Sequence, residues 1–163
     1  MKLLIAYGSK GKYFHLQEFS ESLSKLGVTC KIVKDSDYST GFPSKNISDW
    51  FGTNKKFKKL VTDFWPDAVF IDRQSHFGVD VIKEKIPLFV LLRGHYWSEQ
   101  EWAKKTIHTG LIVRVVLWFR NKLAEKCFKN ATAIFPICKY LEDVVKEHYP
   151  DKKTHVFFEG ISF

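Results

Sequence analysis

Cysteine is scarce in this sequence and is not arranged for disulfides or metal binding. The three cysteines, Cys30, Cys127 and Cys138, are odd in number and far apart, and no C-x-x-C pair occurs. Disulfide-stabilised domains and zinc sites need paired or closely spaced cysteines, so the sequence disfavours both and favours a reducing, cytoplasmic compartment. Because the histidines also lack the close spacing of zinc ligands, we expect no metal site.

Long hydrophobic runs are absent too. The longest, 111–119, is interrupted by Arg114 and is far shorter than the roughly 20 residues that a membrane-spanning helix needs. At the N-terminus an apolar start is broken by Gly8, Ser9 and Lys10, too early for a signal peptide. We therefore interpret this first run as a buried strand.

Motifs of the common nucleotide-binding and signalling folds are missing. No G-x-x-x-x-G-K-[ST] occurs, which excludes a P-loop, and Gly8 and Gly11 give only G-x-x-G in place of G-x-G-x-x-G. Asp35 or Asp37 follows the second predicted strand, where a ribose-binding acid would lie, but without the glycines NAD binding is disfavoured. The first strand ends in Tyr7 with no acidic pair after it, which argues against a phospho-acceptor receiver domain.

The composition is that of one globular domain. Of the 163 residues, 45% are apolar and 27% are charged, enough for a buried core and too few residues for two domains of ordinary size. The net charge of +8 either maintains solubility or attracts an anionic membrane, a phosphate-bearing ligand or nucleic acid. Since no known nucleic-acid motif is present, we expect no nucleic-acid partner.

Apolar runs of strand length alternate with segments of helical period along the chain. Six strands are predicted, at Lys2–Tyr7, 28–33, Ala68–Ile71, Leu88–Leu92, 132–137 and 155–158. Helices are predicted at 13–26, Lys55–Phe64, 77–85, 111–128 and 141–148, with long loops at 35–53 and 93–109. Right-handed crossovers then predict one Rossmann-like α/β domain over 1–163, a doubly wound parallel sheet of about six strands with helices on both faces.

Candidate ligand-binding residues lie where the strands end. In such sheets ligands bind beyond the carboxyl ends of the strands, near the switch in strand order. Gly8 and Gly11 would let a phosphate or an oxyanion approach the start of the first helix. The other candidates are His15, Asp72, Arg93, His95 and Lys139, with Arg73 and His76 beside them. Two structural explanations without a ligand stay open. His15 would only cap its helix or face solvent, and Arg93 would only pair with Asp72.

A basic and aromatic segment at 102–129 has two interpretations. It mixes apolar side chains with Arg114, Arg120, Lys122, Lys126 and Lys129. Either its apolar side packs on the sheet while the charges face water, or it lies on an anionic bilayer as an interfacial helix. We favour packing on the sheet, because it is the commoner arrangement.

Four stretches, taken in order, share a pattern with one enzyme family. G-K-Y-F-H at 11–15, followed by Glu18 and by L-S-K-L-G-V at 23–28, compares with a G-G-x-x-R-H-x-x-E-L loop and its helix. P-D-A-V-F-I-D at 66–72 compares with P-D-[IV]-[IV]-H-x-H, and I-P-L-F-V-L-L-R-G at 86–94 with [IV]-P-x-V-x-T-x-H-G. A-T-A-I-F-P-I-C-K-Y-L at 131–141 compares with A-D-x-[IV]-[IV]-x-V-S-x-x-L. On these stretches the chain resembles the N-terminal, acceptor-side domain of GT-B glycosyltransferases, most closely the retaining family 4 group.

The resemblance implies a function and a second domain. A final strand at 155–158 with no helix after it leads us to expect half of a larger enzyme. The V-F-F-E-G-I-S ending at 156–162 stands where that family enters its nucleotide-sugar-binding domain, which is absent from this chain. The full-length protein would transfer a sugar from a nucleotide sugar to a hydroxyl of a glycan or lipid-linked acceptor, without a metal or cofactor. This part alone would be nearly inactive.

The resemblance also assigns roles, and this sequence departs from it at three places. His15 and Arg93 would be catalytic, while Gly8, Gly11, Asp72, His95 and Lys139 would contact acceptor or donor. Lys10 replaces one glycine, Phe14 occupies the usual arginine position, and Arg93 stands where a cleft histidine is common, so acceptor handling is expected to differ. The rival hypothesis is a stand-alone, non-catalytic Rossmann-like module that binds a phosphorylated or glycan ligand.

Overall fold

The computed structural model describes residues 1–44, 47–52, 54–106 and 110–158. Within these residues five strands form one sheet in which every neighbouring pair is parallel. The strands are β1 (Lys2–Tyr7), β2 (Thr29–Lys34), β3 (Ala68–Ile71), β4 (Leu88–Leu92) and β5 (Ala133–Pro136). Their order across the sheet is β2-β1-β3-β4-β5. This order confirms the predicted Rossmann-like, doubly wound α/β class.

Six α-helices connect or follow the strands in the described part of the chain. They are α1 (Tyr13–Lys25), α2 (Lys55–Phe64), α3 (His76–Lys83), α4 (Tyr96–Thr106), α5 (Leu111–Asn130) and α6 (Lys139–His148). Two of them, α4 and α5, come in succession between β4 and β5. Apolar residues at helical spacing bury one side of α2, through Phe57 and Leu60, while its lysines face solvent. Such one-sided helices cover the sheet.

Both faces of the sheet are buried, which explains why β1 is an unbroken apolar run. On one face Leu4 belongs to the same core cluster as Phe57 of α2 and Phe77 of α3, whose rings lie 4.9 Å apart. On the other face Ile5 clusters with Leu16 of α1. Because successive strand residues point to opposite faces, a strand covered on both sides needs apolar residues at every position. Helices on both faces are therefore confirmed.

The sixth predicted strand is reduced to one bridge. Thr154 pairs with Ile134 of β5, and the N–H groups of His155 and Phe157 donate to the carbonyls of Ile134 and Pro136. A second pair would need a backbone N–H from Pro136, and proline has none. The predicted strand at 155–158 is therefore wrong as a ladder, although the segment runs parallel to β5. Residues 159–162 of the ending motif lie outside the described residues.

The predicted loop at 93–109 contains a helix. α4 occupies Tyr96–Thr106 and has no buried residue, so its sequence carries no clear apolar period. Its glutamates, glutamine, alanine and lysines are good helix formers, and that propensity outweighs the aromatic residues that led us to predict a loop. Residues 107–109 lie outside the described residues.

The first half of α5 leaves most of its apolar side chains exposed. Leu111 and Ile112 are each 81% exposed, Trp118 is 54% exposed, and Val115 and Phe119 are exposed as well. Leu117 is the one buried residue described in this half, and the other buried residues of α5, Ala124, Cys127 and Phe128, lie in its second half. The favoured interpretation of 102–129, with its apolar side on the sheet, is therefore wrong for this half. We call Leu111, Ile112, Val115, Trp118 and Phe119 the exposed apolar face.

No helix among the described residues has both the length and the apolar character needed to cross a membrane.

Candidate functional site

The carboxyl ends of β2, β1 and β3 meet at the switch in strand order. The last residue of β1 lies opposite the last residue of β2, and the residue before it lies opposite the last residue of β3. The residues that follow these ends, Asp35, Gly8, Asp72 and Arg73, are consequently neighbours. With Lys12 of the first loop they form what we call the switch-point cluster. This is the position where doubly wound sheets bind ligands.

Asp72 is a buried carboxylate at the centre of this cluster. Its Oδ1 accepts a hydrogen bond from the backbone N–H of Gly8 at 2.9 Å. Its Oδ2 makes no hydrogen bond within the described ranges, and Lys12 Nζ lies 3.9 Å away. Burial raises the pKa of Asp72 above its ordinary value, and the charge of Lys12 and the Gly8 amide oppose that rise. Burial of a carboxylate at a strand end is unfavourable because it removes the charge from water. Such a carboxylate is a candidate functional group.

Arg73 crosses over Gly8 from the end of β3 to the end of β2. Its Nε and one terminal nitrogen donate to the two carboxylate oxygens of Asp35, at 2.8 and 3.0 Å. The Asp35 side chain is only 4% exposed, whereas that of Arg73 is 48% exposed. A Cβ on Gly8 would overlap the Arg73 side chain, so glycine leaves the room that this crossing needs.

An open cavity of about 330 Å³ lies beside this cluster. The loop after β3, the start of α3, and one side each of α4 and α5 form its walls. Its lining is Pro43, Arg73, Gln74, Ser75, His76, Tyr96, Gln100, Arg120, Leu123 and Ala124, and we call it the side cavity. Two arginines and no carboxylate belong to this lining.

His76, the first residue of α3, stands at the wall of the side cavity. Burial lowers the pKa of its ring, and hydrogen bonding to the backbone of Phe42 and Gly41 only partly offsets this. The ring lies so close to Gly41 that a Cβ there would come within 2.6 Å of it. His76 Nε2 has no hydrogen-bond partner among the residues that the structure describes. The neutral ring therefore offers Nε2 as an acceptor to a molecule in the cavity.

Of the predicted site residues, Gly8 and Asp72 are brought into direct contact. Gly11 lies in the same loop, and a Cβ on it would meet nothing within 4 Å, so its surroundings are open. His15 is exposed on α1, and its ring contacts that of the preceding Phe14. Nothing in the described residues joins His15 to Asp72, and its catalytic role stays a prediction.

Arg93, His95 and Lys139 lie at the neighbouring ends of β4 and β5. Arg93 is half-buried directly after β4, while the cation in contact with Asp72 is Lys12. His95 caps α4, because its Nδ1 accepts the backbone N–H of Ser98 at 3.1 Å.

Lys139 begins α6 as an exposed side chain with local partners. Its Nζ lies 2.6 Å from Glu142 Oε2 and 3.7 Å from Asp143 Oδ1. The hydrogen bond to Glu142 raises the pKa of Lys139. His95 and Lys139 therefore both have local partners, and their contact with an acceptor stays a prediction.

Sequence reasoning did not single out four site residues, Lys12, Ser75, Gln100 and Arg120. Lys12 follows Gly11 inside the first loop, so its position next to a strand end was a usable signal. Gln100 and Arg120 come from α4 and α5, far along the chain from the loop after β3. Only the packing of these helices brings them to the side cavity, and no local pattern encodes it.

The described residues contain no group of three or more His, Cys, Asp or Glu side chains placed to hold a metal ion. No family model matches the chain, and no curated protein is similar enough in sequence to be recognised as a relative. The likeness to glycosyltransferases therefore depends on the short motifs alone.

Proposed function

We propose that this chain is the acceptor-binding part of a retaining glycosyltransferase, which transfers a sugar from a nucleotide sugar to an acceptor hydroxyl. One observation carries the proposal. The G-K-Y-F-H stretch at 11–15 and the P-D-A-V-F-I-D strand at 66–72, two separate stretches with the family pattern, meet where Lys12 pairs with Asp72, and the N–H of Gly8, just before the first stretch, donates to the same carboxylate. They meet at the switch point, where the fold class binds its ligands.

The mechanism we propose is electrostatic positioning. Gly8 and Gly11 leave the first loop open to the donor diphosphate, which a second, nucleotide-sugar-binding domain of the full-length protein would hold. The buried Asp72 carboxylate accepts a hydrogen bond from the acceptor hydroxyl through Oδ2, which lacks a hydrogen-bond partner in the described residues. Fixed charges of this kind stabilise the transition state without reorganising. His15 and Arg93 remain our candidates for catalytic groups, and His95 and Lys139 for acceptor contacts.

Arg73 gives the site a movable cation. Its side chain lies over Gly8 and is half exposed, while its partner Asp35 is buried. A ligand that enters between the ends of β1 and β3 meets this guanidinium first. We propose that Arg73 exchanges part of its contact with Asp35 for a phosphate oxygen of the ligand, since guanidinium groups bind phosphate in the same forked geometry.

We propose that the protein lies in the cytoplasm at the inner surface of the membrane, and the exposed apolar face supports the membrane contact. Five apolar side chains of the first half of α5 are exposed to solvent. The exposed cations Arg114 and Lys122 lie near them on the same helix. An apolar face flanked by basic residues fits an anionic bilayer. The charge of +8 points the same way.

Vesicle co-sedimentation tests the membrane contact. We expect the protein to bind phosphatidylglycerol vesicles more strongly than phosphatidylcholine vesicles. The double substitution Leu111→Ser with Ile112→Ser removes two exposed apolar side chains and should weaken binding by at least about a hundredfold, since each side chain buried in the bilayer contributes about 1.5–3 kcal/mol. Leu26→Ser, at an apolar residue that is 79% exposed after α1, is the matched control and should bind like wild type. Equal binding of both variants would contradict the membrane contact.

A non-catalytic binding module is the second candidate. It is favoured by the side cavity, which Arg73, Arg120 and several uncharged polar side chains line. Such a module would bind a phosphorylated or glycan ligand and transfer nothing.

A transfer assay separates the two candidates. The full-length protein is incubated with labelled nucleotide sugars and a panel of glycan and lipid-linked acceptors. We expect a labelled product in which the anomeric configuration of the donor is retained. Ligand binding without any product across the panel would favour the module and overturn the transferase proposal.

A further inference from the structure

The side cavity carries charge of one sign. Arg73 and Arg120 line it, and its lining includes no Asp or Glu. Arg73 is neutralised by Asp35, whereas Arg120 forms no ion pair within the described ranges. An anionic group in this cavity would therefore find an uncompensated guanidinium at Arg120, and guanidinium pairs well with phosphate.

Three polar atoms of the same lining are buried without partners. Ser75 Oγ, His76 Nε2 and Gln100 Oε1 make no hydrogen bond with the described residues. Buried polar groups are normally satisfied, and each unmade hydrogen bond costs free energy. Gln100 Oε1 only accepts, and Nε2 of the neutral His76 ring accepts as well. A ligand with hydroxyl groups would supply the hydrogen bonds that these three atoms lack.

The size of the cavity limits the ligand further. Its volume of about 330 Å³ is at the small end of the range of roughly 300–1,000 Å³ for ligand sites. The Tyr96 hydroxyl already donates to Asn121 Oδ1 at 2.8 Å, so this residue offers its ring to the lining. One sugar ring with one phosphate fits this volume, and any further sugars of a longer glycan would have to lie outside the cavity.

We propose that the side cavity binds a phosphorylated sugar, with the phosphate at Arg120 and sugar hydroxyls at Ser75, His76 and Gln100. As a statement about the acceptor this rests on the proposed function, but the binding itself is measured without any transfer. The ligand would be a free sugar phosphate or the head of a lipid-linked one. Phe42, next to Pro43 of the lining, packs on Phe119 of the exposed apolar face at 4.9 Å between rings, so the cavity lies near the surface that we assign to the membrane.

Calorimetric titration tests the site. Wild-type protein is titrated with the 1-phosphates of glucose, galactose, mannose and N-acetylglucosamine, and with inorganic phosphate and the free sugars. We expect one sugar phosphate to bind more tightly than its sugar or phosphate alone. Arg120→Gln should weaken that binding about tenfold or more, because it removes a charge-assisted hydrogen bond. Arg114→Gln, on the same helix but outside the cavity lining, is the control and should change nothing.

A second variant separates the sugar from the phosphate. Gln100→Ala should weaken binding of the sugar phosphate and leave binding of inorganic phosphate unchanged. A final arm uses phosphatidylcholine vesicles that carry a polyprenyl glucosyl phosphate. Binding of the soluble compound alone assigns a free sugar phosphate as the source, and enrichment on the vesicles assigns the lipid-linked form.

Three results would overturn the inference: no binding of any sugar phosphate in either form, equal effects of Arg120→Gln and Arg114→Gln, or equal loss of phosphate and sugar phosphate in Gln100→Ala. Circular dichroism confirms beforehand that each variant is folded. Sugar phosphate binding without sugar transfer would leave this site standing while the proposed transferase function fails.

Discussion

Replacing Asp72 by Asn should not destabilise the protein at neutral pH. The Asp72 side chain is fully buried, and burial raises its pKa above the ordinary 3.8. For such an acid the contribution to stability is fully present below pH 3.8 and is lost as the pH rises through the raised pKa. At neutral pH the ionised carboxylate is therefore a cost to the folded state, and an amide removes it.

The size of each stability change depends on whether the variant keeps the hydrogen bond from Gly8. In Asp72→Asn the amide oxygen still accepts the Gly8 N–H, so the free energy of unfolding should equal or exceed that of wild type. Asp72→Ala removes the acceptor and leaves the partly buried N–H of Gly8 without its partner, which costs about 1–3 kcal/mol. Lys12→Gln removes a partly exposed cation 3.9 Å away and should cost about 0–1 kcal/mol.

Urea unfolding followed by circular dichroism measures this order of stabilities. Wild type should lose stability relative to Asp72→Asn as the pH rises from acid to neutral, and the Asn variant should have the flatter profile. If Asn and Ala at this position destabilise equally at neutral pH, the charge of Asp72 stabilises the fold and our reasoning is refuted. A stability cost that the native residue imposes is expected at a functional site.

Further predictions concern other parts of the site. Asp35→Asn should lower the free energy of unfolding by about 1–3 kcal/mol in urea titrations. This is less than for a fully buried ion pair, because Arg73 is half exposed. An unchanged free energy of unfolding would contradict a stabilising ion pair. Cys127 is buried with a pKa raised to about 12, so iodoacetamide should modify half-buried Cys30 first, and mass spectrometry of peptides would show any reversal. The lowered pKa of His76 favours the neutral ring, so stability is present above pH 6.5 and is lost as the pH falls through the lowered value. His76→Gln should reduce this loss of stability at acid pH, measured by urea titrations at several pH values. An unchanged loss in the variant would contradict the role of His76.

The sequence was sufficient to predict those strands and helices that have a continuous apolar run or a clear helical period of apolar residues. β1, β3 and β4 have the predicted boundaries, because a strand buried on both faces is an unbroken apolar run between turn residues. α4 was missed because a helix that buries nothing has no apolar period. The strand after His148 was overpredicted because a single proline in its partner, Pro136, interrupts the ladder.

The candidate site could be predicted only in part. The strand-end rule selected the loops that hold Gly8 and Asp72, since it depends on topology alone, and the contact between these two residues became visible only in the structure. The ion pair of Arg73 with Asp35 joins residues far apart in the chain and depends on the register of three strands. The side cavity depends on how α4 and α5 pack, which short motifs do not encode.

Sugar transfer by the full-length protein tests the central claim most directly. With a donor and acceptor identified by the panel assay, initial rates are measured for wild type, Asp72→Asn and the control Asp63→Asn, at an exposed carboxylate of α2 paired with Lys59. We predict transfer by wild type and the control, and a rate at least about tenfold lower for Asp72→Asn. Equal rates for all three proteins would contradict a functional role for the switch-point cluster.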